Sequence, residues 1–310
     1  MSVKNMLTFI VRRLLTIIPV IFGVTFLVYV LMTVAPGNPE RAHLRKIDDP
    51  VLRAQMEEEL GLNDPMIVRY CRMMKKMVEK ESEEQGPYSG IIAKMRVHLP
   101  KSLQLCCTSL FFSVLLALPL GIFAAIRQNT LFDGLCMAVS LIGVSMPNFW
   151  LGLLLMIWFA LNLGWFPTAG SETLAHLVLP AATLAFINMA AIARVTRSSM
   201  LEVIRQDYVR TARAKGVSER RIIIHHVLRN AMLPTITVIG IQLGEMLSNT
   251  IVIENIYAWP GVGRLLIQAI NSREMSMMIA CVMIFAVCVS LINLLVDILY
   301  SLIDPRITIQ

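Results

Sequence analysis

Apolar residues in this chain gather into runs far longer than a globular core requires. Six of them reach the roughly 20 residues that an α-helix needs to cross a hydrocarbon layer about 30 Å thick. They fall at about 14–35, 103–126, 135–161, 177–193, 233–253 and 276–299. The pattern predicts an all-α membrane protein with six transmembrane helices. Two polar stretches stand out between the runs, 36–101 and 194–232. The first is rich in helix formers, with Pro50 and Asp64-Pro65 as breakers around Val51 to Leu62, and predicts a small helical insert. The third apolar run is irregular: no charged side chain occurs between Asp133 and Glu172, yet Pro147, Gly164 and Pro167 interrupt it. Backbone freed by a proline at membrane depth needs cover from protein or from a water-filled cavity. Ser145, Met146, Pro147 and Asn148 are therefore expected at a helix interface or pathway, with a simple kink equally open.

Composition sharpens this picture. Hydrophobic residues make up 56% of the 310 positions and charged ones 16%, and the mean hydropathy is +0.67, values that exclude an ordinary soluble domain. A formal charge of +7 could suit nucleic acid, but the basic residues concentrate in one connection, so no nucleic-acid partner is expected. Nine Lys or Arg stand against three acids between Arg194 and Arg229, which assigns that connection to the cytoplasm. With six spans, both termini then face the cytoplasm and 36–101 lies outside. Arg12-Arg13 precede a first run too long for a signal peptide, and we read it as a retained anchor, a twin-arginine export signal being the other reading of that pair. The six cysteines show no C-x-x-C spacing and read as small core residues.

The cytoplasmic connection carries a basic block, Asp207 to Pro234. Asp207 can cap a helix, Tyr208 to Lys215 can form two turns, Gly216 can leave with positive φ, and Ser218 can cap a second short helix. Small Ala212 and Ala214 permit close approach of another surface, while Arg210, Arg213 and Lys215 stay free for carboxylates. Such a block suits docking onto a soluble partner, although a basic loop that merely sets topology would also fit.

Enzymatic signatures are missing. The chain has no G-x-x-x-x-G-K-[ST], H-E-x-x-H or G-x-S-x-G, so no catalytic residues and no cofactor are expected. His225-His226 point about 100° apart on a helix and offer too few donors for a metal site. Glu245 and Asp297 lie inside the fifth and sixth runs, where each is expected to face the bundle interior. Tyr257 to Arg264 combines two aromatics, Tyr257 and Trp259, with Pro260, Gly261 and Gly263; it reads as an interfacial turn guarding an outer mouth or as a membrane anchor. The 20 methionines suit adaptable packing or plain apolar filling.

The run Tyr208-Val209-Arg210-Thr211-Ala212-Arg213-Ala214-Lys215-Gly216, with Leu228-Arg229-Asn230-Ala231 and Leu233-Pro234, resembles the EAA loop of ATP-binding cassette importer permeases, most closely the dipeptide, oligopeptide and nickel branch. Gly61-Leu62-Asn63-Asp64-Pro65, Val144 to Trp150, Ala258 to Arg264 and Asp304-Pro305-Arg306 extend the likeness over nearly the whole chain. In two places the chain departs from that pattern. Arg210 and Thr211 replace the nominal glutamate and first alanine, as this branch commonly shows, and 78–98 lacks the Gly-Asp-x-Gly run usual in relatives.

The resemblance implies a type I cassette-importer permease fold with a cytoplasmic coupling helix, in a bacterial or archaeal cytoplasmic (inner) membrane. The domains implied are 1–35, an extracytoplasmic insert at 36–101, and a core at 102–310 with five spans and the coupling loop at 194–232. It further implies a second homologous permease, two cytoplasmic ATPases and an extracytoplasmic binding protein as partners, with a di/oligopeptide or nickel (chelate) substrate. Asp207, Tyr208, Arg210, Thr211, Ala212, Arg213, Ala214, Lys215 and Gly216 would couple to the ATPase. Glu245, Asn249, Ser145 and Asn148 are the pathway candidates, and Trp259, Pro260, Gly261 and Gly263 form the outer hairpin. An ion-driven secondary transporter, suggested by Glu245 and Asp297, is the main rival.

Overall fold

The computed structural model describes residues 3–34, 64–79 and 90–303, and every element among them is helical. The expected helix at Val51–Leu62 and the tail at 304–306 lie outside the described residues. Ten helices follow in order: α1 (Val3–Val34), α2 (Met66–Glu79), α3 (Ile91–Ile126), α4 (Leu131–Ser145), α5 (Asn148–Asn162), α6 (Leu174–Ile204), α7 (Asp207–Ala214), α8 (Glu219–Ile256), α9 (Val262–Ser272) and α10 (Met275–Ile303). The last turns of α5, Met156–Asn162, and the stretch Ile222–Leu228 of α8 are wound as π-helix.

Five single helices are long and apolar enough to cross a membrane, and the third predicted span is instead a broken pair. α4 and α5 meet at 108° across Met146-Pro147. Proline disfavours helical backbone in the residue before it, and Met146 is extended at φ −85°, ψ 127°. The Met146 amide still donates to the Ile142 carbonyl, and the Pro147 carbonyl accepts from Trp150 and Leu151, so much of the backbone at the corner is satisfied locally. Other helices outrun the apolar runs that predicted them. α3 begins at Ile91, and α6 continues to Ile204, which turns residues 194–204 of the expected loop into helix.

The chain divides into two compact units. One comprises Ser102–Pro260 and the stretch from Leu291, and the other comprises Ser2–Lys101 with Gly261–Ser290. Residues 261–290, expected within the core, thus group with the N-terminal part.

In the first unit α6 is the central helix, packed along α8, α4 and α5, with Leu184, Ile192 and Met200 fully buried. Buried hydroxyls on these helices return to their own backbone. Thr183 donates to the Leu179 carbonyl at 2.8 Å, Thr196 to Ile192 at 2.8 Å and Ser109 to Leu105 at 2.7 Å, so that these three hydroxyls are satisfied in an apolar interior. The second unit is rich in methionine: Met73, Met77, Met95, Met275, Met277 and Met278 pack with Tyr29 and Tyr70. Flexible thioethers fill such irregular gaps well. Thr25 and the Tyr70 hydroxyl share a 2.6 Å hydrogen bond inside it. Of the cysteines, Cys106 and Cys281 are the buried pair, whereas Cys71 and Cys107 are exposed, against the expectation of core positions.

Helix α3 meets α6 at Gly121, where a Cβ would stand 2.7 Å from the Ala193 carbonyl oxygen and 2.7 Å from the Thr196 Cβ. Neither neighbour is a flexible chain end, so any side chain there forces two helices apart. Gly121→Val should cost about 1–3 kcal/mol or more, read as a lower thermal unfolding midpoint of the detergent-solubilised protein, whereas Gly134→Val, with nothing near its Cβ, should not.

Candidate functional site

The segment that the sequence marks for coupling begins where α6 ends. Arg205 and Gln206 turn the chain, and Gln206 rather than the expected Asp207 occupies the N-cap. Asp207 instead sits in the first turn of α7 and Arg213 in its last, the arrangement that the helix dipole favours. Gly216 then takes φ +76°, as its position after the helix predicts, and the Val217 amide donates back to the Ala212 carbonyl at 3.2 Å. Ser218 precedes the next helix as expected, but that helix is not short: α8 runs unbroken from Glu219 into the membrane-length segment.

Three contacts fix α7 to the helices on either side of it. Val209 is wholly buried with Met200 of α6 and Ile222, Val227 and Ala231 of α8. The Tyr208 hydroxyl donates to the His226 carbonyl at 3.3 Å and accepts from the Asn230 amide at 2.7 Å. Across the Gly216 turn, Arg213 binds both carboxylate oxygens of Glu219, at 2.6 and 3.2 Å. Arg213 is therefore not free, contrary to the sequence reading, and its guanidinium is held above its ordinary value by the hydrogen bond to Glu219. What faces outward is polar and basic: Asp207, Arg210, Thr211, Ala214, Lys215 and Gly216 are exposed, with Ala212 half-buried. The Arg210–Asp207 separation of 3.8 Å, between two largely exposed side chains, adds little.

Sequence reasoning missed the strongest polar link. Asp133, in the first turn of α4, takes two hydrogen bonds from Arg197 of α6, at 2.5 and 2.7 Å, and a third from the Asn129 amide at 3.0 Å. Asp133 is 4% exposed. Arg194, one turn back along α6, reaches the Ser140 carbonyl at 3.3 Å. Two of the basic residues counted toward topology thus bind α4 to α6 just before the chain enters α7. A lone acid at the start of an apolar run was the available signal.

Pathway candidates lie elsewhere. Glu245 is exposed on α8 and does not face the interior of its own chain as expected; it accepts one hydrogen bond, from Gln242 at 3.2 Å. The physical reason is helical phase, since Met246 and Leu247 take the buried side. An ionised carboxylate at bilayer depth costs about 2.5–3.5 kcal/mol on insertion scales, so such a face calls for water or a partner protein. Asn249 is half-buried on the same helix, and Ser145 and Asn148 flank the α4–α5 corner, exposed and half-buried. Glu254, nine residues further along α8, is fully buried and accepts from the Ser102 hydroxyl at 2.6 Å.

The outer hairpin is not an interfacial anchor. Trp259 and Tyr257 are 1% and 2% exposed in the core of the first unit, where the Tyr257 hydroxyl donates to the Gly152 carbonyl at 2.8 Å and lies 3.2 Å from that of Thr183. Pro260 is half-buried, while Gly261 and Gly263 are buried. The pair's aromatic surface fills space between helices, which outweighs any preference for the headgroup zone.

Five membrane-length helices and one broken pair, with a basic exposed helix between two of them, define a multi-pass membrane protein. Residues 117–309 match the family described as "Binding-protein-dependent transport system inner membrane component", and residues 6–89 match its N-terminal companion, "Binding-prot-dependent transport system membrane comp, N-term". The chain belongs to this family, the permease subunits of ATP-binding cassette importers. It is similar to the oligopeptide transport system permease protein AppB of Bacillus subtilis, at 39% identity over 97% of this chain and 99% of that one. It also resembles the di/tripeptide permease DppB of Pseudomonas aeruginosa, 38% identical over 98% of this chain and all of that one. With the glutathione permease GsiC of Salmonella typhimurium it shares 39% identity over 97% of this chain and 99% of the other. An inward-facing structure of the MetNI methionine transporter shares the fold, with a TM-score of 0.61 at 18% identity, covering 70% of this chain and 99% of its own.

The Asp133–Arg197 link carries a measurable load. Removing one partner of a buried charge pair leaves the other uncompensated, so Asp133→Asn should destabilise the protein by about 3–5 kcal/mol. Asp133→Asn combined with Arg197→Gln should lose less than the two single changes added together, read from unfolding midpoints in detergent.

Proposed function

We propose that this chain is the translocating subunit of an importer for short peptides, working with a second homologous permease, two cytoplasmic ATPases and an extracytoplasmic binding protein in the cytoplasmic membrane. The peptide assignment rests on the oligopeptide, di/tripeptide and glutathione permeases to which the chain is similar over nearly its full length. Both termini face the cytoplasm in this reading, supported by the nine basic residues against three acids at 194–229 and by six crossings when α4 and α5 count as one.

One observation carries the mechanism: α7 presents a basic outer face while its inner face is bound to α6 and α8 through Val209. A helix held only by flexible loops would yield when pushed. Here the buried valine, the Tyr208 hydrogen bonds and the Arg213–Glu219 pair make α7 continuous with two long helices, so displacement of an ATPase seated on Arg210, Thr211, Ala214 and Lys215 moves those helices. Arg197 and Asp133 pass the same movement to α4. The alternating pathway then runs along the polar side of α8, with Glu245 and Asn249, and by the corner at Ser145 and Asn148. Of the hairpin residues Trp259, Pro260, Gly261 and Gly263, the buried Trp259 and the φ-restricted Pro260 hold the chain beyond the far end of α8.

Gly216 offers the test, because its φ of +76° admits glycine, tolerates asparagine and rejects β-branched residues. In vesicles containing the complete importer, Gly216→Val should abolish most ATP-driven peptide uptake while the chain still inserts, and Gly216→Asn should retain much of it. Unchanged uptake and unchanged peptide-stimulated ATP hydrolysis in Gly216→Val would refute the assigned coupling role.

A further inference from the structure

We propose that the hollow between α3, α4 and α6 holds an anionic phospholipid, with an acyl chain in the hollow and the phosphate at Arg194 and Arg197. The ligand is part of the membrane, so the site does not depend on which solute the importer carries.

The hollow has a volume of about 200 Å³, and its wall is almost wholly apolar. Leu120 and Ala124 of α3, Leu135 and Val139 of α4, and Met189 and Ala193 of α6 line it, each pair one turn apart on its own helix. Gly121 also lines it and brings α3 close to α6, since a Cβ there would stand 2.7 Å from the Ala193 carbonyl oxygen. Leu135 and Val139 are exposed, so the hollow opens beside α4. An apolar cavity of about 150 Å³ stays dry and takes up benzene, because water finds no polar partners in it. Hydrocarbon is the filler of matching chemistry, and it restores the dispersion contacts that a bare wall forfeits.

Charge enters the wall at one place. Arg197 lines the hollow and spends Nε and Nη2 on Asp133, which leaves the donors of Nη1 over. Arg194 lies three residues earlier, about 4.5 Å back along the α6 axis. It is half-buried, it donates to the carbonyl of Ser140, another residue of the wall, at 3.3 Å, and among the described residues no carboxylate pairs with it. Both arginines follow directly on the apolar run that ends at 193, the level at which hydrocarbon gives way to headgroups. Two guanidiniums therefore meet one carboxylate, and the uncompensated positive charge stands beside an apolar hollow. The planar fork of Arg suits a phosphate. A small soluble anion makes no use of the hollow, and plain hydrocarbon makes none of the arginines. A zwitterionic headgroup brings its own ammonium against them, whereas an anionic phospholipid satisfies both parts of the site.

The experiment places the complete importer in phosphatidylcholine vesicles that contain a trace of phosphatidylglycerol or of phosphatidylcholine with a diazirine on one acyl chain. After illumination, mass spectrometry of this chain's peptides counts insertion at Gly121, Ala124, Met189 and Ala193, lining residues of which bulk lipid reaches little. In the natural protein phosphatidylglycerol should label them about tenfold more than phosphatidylcholine, the worth of one charge-assisted contact. Arg194→Gln should bring that ratio to within about twofold of unity, Arg194→Lys should keep most of it, and Arg205→Gln, the same loss of charge beyond the site, should leave it unchanged. Val139→Trp, a change at an exposed position of the wall, should block the opening and remove insertion by both lipids. Equal labelling by the two lipids in the natural protein would overturn the proposal, leaving a groove filled by any hydrocarbon. Loss of the preference on adding excess inorganic phosphate would overturn it in favour of a free-anion site, and absence of label in the assembled importer would show the hollow covered by another subunit. If Arg194→Gln does not assemble, Val139→Trp and Arg194→Lys decide: unchanged insertion in the first, or a lost preference in the second, overturns the proposal.

Discussion

In a hydrocarbon environment every backbone amide and carbonyl has to find its partner within the protein, because water is not there to supply one. Most of what is seen in this chain follows from that requirement. The long segments are helices whose ladders close internally, and buried Thr and Ser spend their hydroxyls on carbonyls one turn back. Even the sharp break at Met146-Pro147 keeps its last α4 amide on Ile142 and uses the Pro147 carbonyl twice. Proline removes the amide that would have been orphaned at that corner, which is why a turn of 108° is tolerable there.

With the backbone satisfied, a small set of side-chain contacts ties the polar segment to the apolar helices around it. Asp133 and Arg197 join α4 to α6, and Val209, Tyr208 and the Arg213–Glu219 pair join α7 to α6 and α8. Together they hold a polar, basic helix against apolar ones. Left-handed backbone at Gly216 lets the chain reverse tightly enough for Arg213 to meet Glu219 six residues on.

Residue type alone does not decide what a membrane carboxylate does. Glu254 and Glu245 lie nine residues apart on one helix, yet the first is enclosed with Ser102 and the second projects from the chain's surface with spare acceptor capacity. Enclosure makes a carboxylate part of the scaffold, and exposure on the same helix leaves it open to whatever occupies the adjoining space.

The class of fold, five of the six membrane-length segments and the short basic helix between two of them were legible in the sequence, because length of apolar run, Lys and Arg distribution and a glycine after a short helix are local signals. Gly216 and the helix from Asp207 follow from nearest neighbours. Which side of a helix is covered is not a local property. Burial of Trp259 and Tyr257 in the core, the exposure of Glu245, the pairing of Asp133 with a residue 64 positions away and the division that groups 261–290 with the N-terminal part were decided only by tertiary packing. A helix so apolar around its whole circumference does not announce which face meets protein and which meets something else, and the neighbours that settle the matter are remote in the chain.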